Sequence, residues 1–281
     1  MKLGYLTKFS EDELKIASSI GYDGLEIQAG SWPAEVLQSS DGRKKAASEA
    51  KALLEKYGIE ITAIALYASG IKPAEERIAA YRNVIEFTAE MGVGVVTTLT
   101  GGDPEKSQED NIPIFKETFE KVAKIAEDKG VKVAFENWPG LSAIPAKSVS
   151  FGFNPKAWEL MFDAVPSPAL GLEFDPSHLV WQFADYIAAV KQFGSRIYHV
   201  HFKDTEIMED ALSEGGFYGR RWWRYRIPGF GVINWAEFIS ALKEVGFDGG
   251  AAIEHEDPIF SKERRVEGLK LGYNHLRPLI I

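Results

Sequence analysis

Cysteine is absent from the 281-residue sequence. Its absence excludes disulfides, thiolate metal sites and cysteine nucleophiles at once. An excess of positive charge is also missing: 32 Lys and Arg stand against 41 Asp and Glu, giving a formal charge of −9. Nucleic acid and anionic membranes both select net basic surfaces, so neither is expected as a partner. No apolar run approaches the ~18 residues of a membrane span. Met1-Lys2-Leu3-Gly4-Tyr5 leads straight into a strand-like segment with no cleavage-site pattern, so a signal peptide is not expected and a cytoplasmic location is. No G-x-G-x-x-G follows the first apolar run, which weakens the reading of an open, dinucleotide-binding sheet.

What is present is an ordinary globular composition, 45% hydrophobic and 26% charged, with enough apolar mass for a large core. A helix-to-strand junction recurs along the chain. It is seen around Gly21, Gly58, Gly92, Gly130 and Gly246, each ending a charged helical stretch and preceding a β-rich run. The first four of these glycines are spaced by 37, 34 and 38 residues, the length of a βαβ unit. Eight strands are expected, at roughly 3–7, 24–28, 61–67, 95–100, 131–137, 169–175, 197–203 and 251–256, from the short apolar runs between amphipathic stretches. One such stretch runs from Ile114 to Ala126, with Phe115, Phe119, Val122, Ala123 and Ile125 on a helical period. Alternating elements of this kind give parallel strands with helices outside. The expected fold is an α/β, (β/α)8 TIM barrel spanning residues 1–281 as a single domain, with an open doubly wound sheet as the alternative.

In such a barrel, catalytic groups occupy the C-terminal ends of the strands. Strand five closes with Glu136 and strand six with Asp175, followed by His178. Strand seven carries His199 and His201 on one face, then Lys203 and Asp204, and strand eight carries Glu254 and Glu256 on one face. A single carboxylate at a strand end is most simply a solvated or ion-paired residue, and Asp175 before Pro176 is also a turn signal. Four successive strands delivering a carboxylate or imidazole at one level is a different matter. Such groups repel one another and resist desolvation unless a cation lies among them. Three carboxylates and one imidazole make an N/O donor set for one divalent ion, with Mn²⁺ favoured over Mg²⁺, Co²⁺ or Zn²⁺ by the carboxylate majority. Lys203 is read as a substrate or supporting contact, and Asp204 equally as such a contact or as a helix-start residue. Trp32, Trp138, Trp181 and Trp222 are candidates to stack on the face of a ligand or to pack.

One insertion, Gly215 to Gly231, is too long and aromatic for a plain connector. Following strand seven, it is expected at the barrel mouth. Its arginines suit a carboxylate or phosphate on a substrate, and the alternative is a subunit contact in a homo-oligomer.

At these residues the chain resembles the xylose isomerase-like, sugar phosphate isomerase/epimerase superfamily, which includes ketose 3-epimerases, hydroxypyruvate isomerase, inosose-processing enzymes and endonuclease IV. The resemblance runs from Gly21-Tyr22-Asp23-Gly24-Leu25-Glu26 to Glu254. It rests on Glu136, a D-x-x-H pattern at Asp175 to His178, an H-x-K-D pattern at His201 to Asp204, and P-G-x-G-x-x-x-W at Pro228 to Trp235. The resemblance implies Glu136, Asp175, His201 and Glu254 as metal ligands and Glu136 and Glu254 as the acid/base pair. It implies His178 as a contact to substrate oxygens, and Arg226 or Arg224 likewise. The tryptophan- and arginine-rich insertion and the Glu254-His255-Glu256-Asp257 ending depart from the epimerase pattern beside the ligand. Strands two and three end in Gln28 and Tyr67 rather than histidine, so endonuclease activity is not expected.

The function expected is a metal-dependent isomerase or epimerase working through an enediolate on a small polyhydroxy, sugar-like substrate. Two alternatives stand beside it: a metal-dependent lyase or hydratase acting on a keto-sugar or keto-glycoside, and a non-catalytic sugar-binding barrel.

Overall fold

The repeating unit of this chain is an amphipathic helix stopped by a glycine and followed by a short buried strand. Helix Gln108–Lys129 shows how the sequence enforces it. Ser107 caps the start by accepting from the Asp110 amide, and Gly130 ends it at φ 68°, where its N–H bonds back to the last helical carbonyls. The face between is buried through Phe115, Phe119, Val122, Ala123, Ile125 and Ala126. Phe119 meets Phe135 edge to face at 4.7 Å, seating this helix against its strand. The other junction glycines, Gly21, Gly58, Gly92 and Gly246, also take positive φ.

The computed structural model describes residues 1–67, 74–140 and 149–280. Ten strands occur among them: β1 (Lys2–Thr7), β2 (Gly24–Gln28), β3 (Glu60–Leu66), β4 (Val95–Thr98), β5 (Lys132–Glu136), β6 (Leu170–Phe174), β7 (Ile197–Phe202), β8 (Asp204–Ile207), β9 (Trp223–Arg226) and β10 (Gly250–Ile253). Eight of them close into one barrel in the order β1-β10-β7-β6-β5-β4-β3-β2, every pair parallel. The expected eight-stranded barrel is therefore present, and the open sheet is excluded. β10 is shorter than expected and ends at Ile253, which leaves Glu254 just beyond the ladder.

The remaining two strands, β8 and β9, form an antiparallel ribbon, with Asp204 opposite Arg226 and Ile207 opposite Trp223. The insertion thus supplies the second strand of a hairpin that rises from the end of β7, with helix Glu209–Gly215 between the two strands. Its base is held by Asp204. The Asp204 carboxylate accepts from the amides of Thr205, Gly229 and Ile233 and from the Trp235 indole N–H, at 2.9–3.1 Å. The H-x-K-D and P-G-x-G-x-x-x-W patterns are two halves of this one clasp, and Asp204 is not the helix-start residue expected. A Cβ at Gly231 would lie 2.2 Å from Asp204 Oδ1, so glycine is required for the loop to close.

Candidate metal centre

Four strand ends converge at the barrel mouth. Glu136 ends β5, Asp175 follows β6, His201 lies on β7 and Glu254 follows β10. One donor atom from each lies within 4.8 Å of all the others. Asp175 is placed by a reciprocal clamp. Asn137 Nδ2 donates to the Asp175 carbonyl at 2.8 Å, and the Asp175 amide donates to Asn137 Oδ1 at 2.7 Å. Asp175 Oδ1 then caps helix Pro176–Val180 through the Ser177 amide. The Asp-Pro step starts a turn, and the second Asp175 oxygen lies beside Glu136, His201 and Glu254.

That oxygen, Asp175 Oδ2, is buried without a hydrogen bond, and so is His201 Nδ1. His201 Nδ1 lies 3.1 Å from Glu254 and 3.4 Å from Glu136, in line with neither. Lys203 Nζ lies 3.2 Å and His178 Nε2 3.3 Å from Asp175 Oδ2, but neither hydrogen-bonds to it; buried polar atoms are almost always hydrogen-bonded, so two without such a bond in one cage leave room for a further partner. Positive charge is already drawn in. Burial disfavours a charged Lys203, yet Glu254, Glu256, Asp175 and Glu136 outweigh it and raise its pKa well above 10.5. Burial likewise opposes a charged His201, and Glu173, Glu26 and Glu254 override it. Glu136 shows the same cage from the anionic side. Burial pushes its pKa up, but His178, His201 and Lys203 together hold it well below 4.5. Three carboxylate oxygens and one imidazole nitrogen, two of them orphaned, fit a divalent cation taking O/N ligands.

The neighbouring residues divide between the site and the scaffold. His178 Nε2 lies 3.2 Å from Glu136 and 3.3 Å from Asp175, and its Nδ1 lies 2.7 Å from the Tyr225 hydroxyl. Lys203 is fully buried. Its ammonium contacts Glu254, Asp175 at 3.2 Å and Glu256 at 3.2 Å, and stands 4.4 Å from the Tyr225 ring centre. Glu256 is half-exposed at the rim, while His199 is buried in the barrel and pairs with Glu173 and Thr62. Trp138 is half-buried beside the Gly140 turn.

Arg224 and Arg226 lie on β9, and their guanidinium groups meet carboxylates of this chain. Arg224 forks onto both oxygens of Glu206, and Arg226 contacts Glu206 and Asp257. Among the other tryptophans, Trp181 stacks on Trp223 at 4.7 Å, Trp222 stacks with Phe183, and Trp32 packs against Phe9 and Phe87.

Three residues escaped the sequence reading. Tyr225 was inside the insertion with nothing to single it out. Glu26 and Glu173 had a signal: each is a lone carboxylate inside an apolar strand, fully buried, where an unpaired charge is costly. Both point into the barrel below the cage, where they meet His199, His201 and the Tyr67 hydroxyl.

Known proteins share this arrangement of strands. Residues 14–279 match the family described as xylose isomerase-like TIM barrel. The uncharacterized protein YfiH of Bacillus subtilis is 32% identical, covering 96% of this chain and 98% of its own. Inosose dehydratase 2 of Bacillus cereus is 27% identical over 66% of each. Among solved structures, the IOLI protein with a binding zinc atom superposes with a TM-score of 0.75 at 21% identity, over 100% of this chain and 98% of that one. D-Psicose 3-epimerase with D-tagatose, from Clostridium cellulolyticum H10, superposes with a TM-score of 0.73 at 17% identity, over 100% and 99%. At such identities these structures speak to the fold alone. The family match spans all four strand ends that build the cage, and the chain belongs to the xylose isomerase-like TIM barrels.

Proposed function

We propose that this chain is a divalent-metal-dependent isomerase or epimerase of a small polyhydroxy, sugar-like substrate, with Glu136, Asp175, His201 and Glu254 as ligands. The observation that carries the reading is the pair of orphaned atoms, Asp175 Oδ2 and His201 Nδ1, aimed into a cage of three carboxylates. The carboxylate majority favours Mn²⁺, and the zinc of the IOLI neighbour keeps Zn²⁺ in the same class of candidates. Bound there, the ion supplies Lewis-acid polarisation of a substrate carbonyl and so acidifies the adjacent C–H.

The chain's own residues then move protons. Glu136 and Glu254 are the carboxylates placed to take a proton from carbon and to return one. They have different companions: Glu136 is held by His178, Glu254 by Lys203. Return to the same carbon from the opposite face inverts a stereocentre, and return to the neighbouring carbon interconverts aldose and ketose. His178 and Lys203 offer hydrogen-bond donors to substrate oxygens. Tyr225 flanks both, Trp138 is a further candidate on the substrate side, and the hairpin that carries Tyr225 keeps water from the reacting carbon. Arg224 and Arg226 complete the substrate side, Arg224 reaching a substrate oxygen by exchange from Glu206.

A second reading has one observation in its favour. Relatives named inosose dehydratase align over 66% of the chain. Loss of a β-hydroxyl from the same enediolate, protonated as it leaves by His178, gives a dehydratase. Incubation of the Mn²⁺-loaded protein in D₂O with ketoses and inososes separates the readings. Deuterium at the carbon beside the carbonyl, with every hydroxyl retained, supports the isomerase or epimerase. An enone absorbance supports the dehydratase, and neither signal with any substrate removes the catalytic proposal.

A further inference from the structure

Below the cage lies a second layer of polar side chains. Glu26 from β2, Glu173 from β6 and His199 and His201 from β7 are all fully buried. Their donor atoms also lie within 4.8 Å of one another. The two layers differ in one respect. The upper one leaves Asp175 Oδ2 and His201 Nδ1 without a hydrogen bond, whereas in the lower one every side-chain polar atom other than that same His201 Nδ1 has a partner. Glu26 Oε2 lies 2.8 Å from His201 Nε2, and Glu26 Oε1 accepts from Thr97 Oγ1 at 2.5 Å. Glu173 Oε1 is shared between His199 Nδ1 at 2.9 Å and His201 Nε2 at 3.1 Å. The Tyr67 hydroxyl lies 2.9 Å from Glu173 and 3.1 Å from Glu26.

His201 is the one residue common to both layers, with one ring nitrogen in each. An imidazole can offer a lone pair at Nδ1 only if its ring hydrogen is at Nε2, and the partner of Nε2 decides this. Glu26 is the closer carboxylate, and Glu173 Oε1 is already engaged by His199.

We propose that Glu26 is a positioning residue of the metal centre: by accepting the Nε2 hydrogen of His201 it fixes the tautomer that presents Nδ1 to the cage. Thr97 and Tyr67 in turn hold the Glu26 carboxylate. The lower layer, satisfied from within, takes no ion of its own. The inference rests on the metal reading of the upper layer and deepens it.

The test uses the full chain, stripped with chelator, as wild type and Glu26→Gln. Binding of Mn²⁺ and Zn²⁺ is followed by titration calorimetry, and thermal unfolding of the metal-free proteins is followed in parallel. Glu26→Gln keeps the size of the side chain and removes the anionic acceptor. Loss of such a partner behind a histidine ligand weakens metal binding about 10–100-fold. The expected result is that loss, with one ion per chain in both proteins and a metal-free melting temperature that does not fall. An affinity within twofold of wild type overturns the inference, as does a second ion in wild type that Glu26→Gln abolishes. Should Glu26→Gln fail to fold, long-range ¹H–¹⁵N correlation spectra of Zn²⁺-loaded wild type decide. A His201 hydrogen at Nε2 is expected, and one at Nδ1 overturns the inference. A wild-type protein that binds no ion removes the metal reading itself, whereas an ion bound equally by both proteins removes only the role of Glu26.

Discussion

Replacing Lys203 by methionine removes the one ammonium that, among the described residues, sits among the cage carboxylates. Lys203 is fully buried and contacts Glu254, Asp175, Glu256 and, at 3.9 Å, Glu136. Methionine fills nearly the same volume, so the main effect is uncompensated negative charge rather than a cavity. Breaking a buried ion pair by deleting one partner costs about 3–5 kcal/mol. At about 2–4 °C per kcal/mol for a chain near this size, the metal-free variant should melt some 6–20 °C below wild type. Two conditions should shrink the deficit. Lower pH protonates the crowded carboxylates, and a divalent ion replaces the lost charge. Differential scanning calorimetry of Lys203→Met and wild type, each with chelator and with excess Mn²⁺, reads all of this at once. Equal melting temperatures in chelator would refute the argument that the cage is held together by cationic charge, and a deficit that Mn²⁺ leaves untouched would refute the idea that an ion takes over that role.

Other predictions follow from separate parts of the molecule. Glu136→Gln and Glu254→Gln should each lower turnover by about 10²–10⁴, measured beside metal content so that lost catalysis is distinguished from lost metal. Asp204→Ala orphans four N–H donors, three of them in buried residues, at about 1–3 kcal/mol for each buried group left unpaired. Denaturant titration should show the loss, and tryptophan fluorescence should report a loosened hairpin. Burial raises the pKa of Asp257, yet the Arg226 bond and backbone amides outweigh it and leave it below 3.8; Arg224 chiefly holds Glu206 below 4.5. Depressed folded pKa values mean this clamp is complete above pH 4.5 and is lost as pH falls through the folded values, so the Trp181–Trp223 stack should loosen only in acid, seen by near-UV circular dichroism. Arg224→Ala should raise KM without changing subunit association; lost association with normal kinetics would assign the hairpin to an interface instead.

The barrel was legible because its signals are local. A glycine that must take positive φ marks each junction, and runs of four to seven apolar residues can be little else between amphipathic helices. The cage was legible for a related reason: Glu136, Asp175, His201 and Glu254 close successive strands, and barrel geometry brings successive strand ends together. What stayed hidden depends on distant pairing. Asp204 reads as a helix-start residue until Gly229, Ile233 and Trp235 are seen to fold back on it. β8 and β9 are only four residues each, and the alternation Trp223-Arg224-Tyr225-Arg226 is too short, between glycine-rich flanks, to stand out from a loop. Arg224 and Arg226 look like free cations in sequence because Glu206 and Asp257, which they meet, are 18 and 31 residues away. Glu26 and Glu173 were the one readable clue passed over, since a carboxylate in the middle of a buried strand has to be answered by something inside the barrel.

The central claim is that one divalent ion sits among Glu136, Asp175, His201 and Glu254. Anomalous diffraction at the manganese edge, from crystals grown with Mn²⁺, tests it most directly. A single peak is expected about 2.0–2.4 Å from a carboxylate oxygen of each acid and from His201 Nδ1. No peak at the barrel mouth, or a peak held by Glu26, Glu173 and His199 instead, would contradict it.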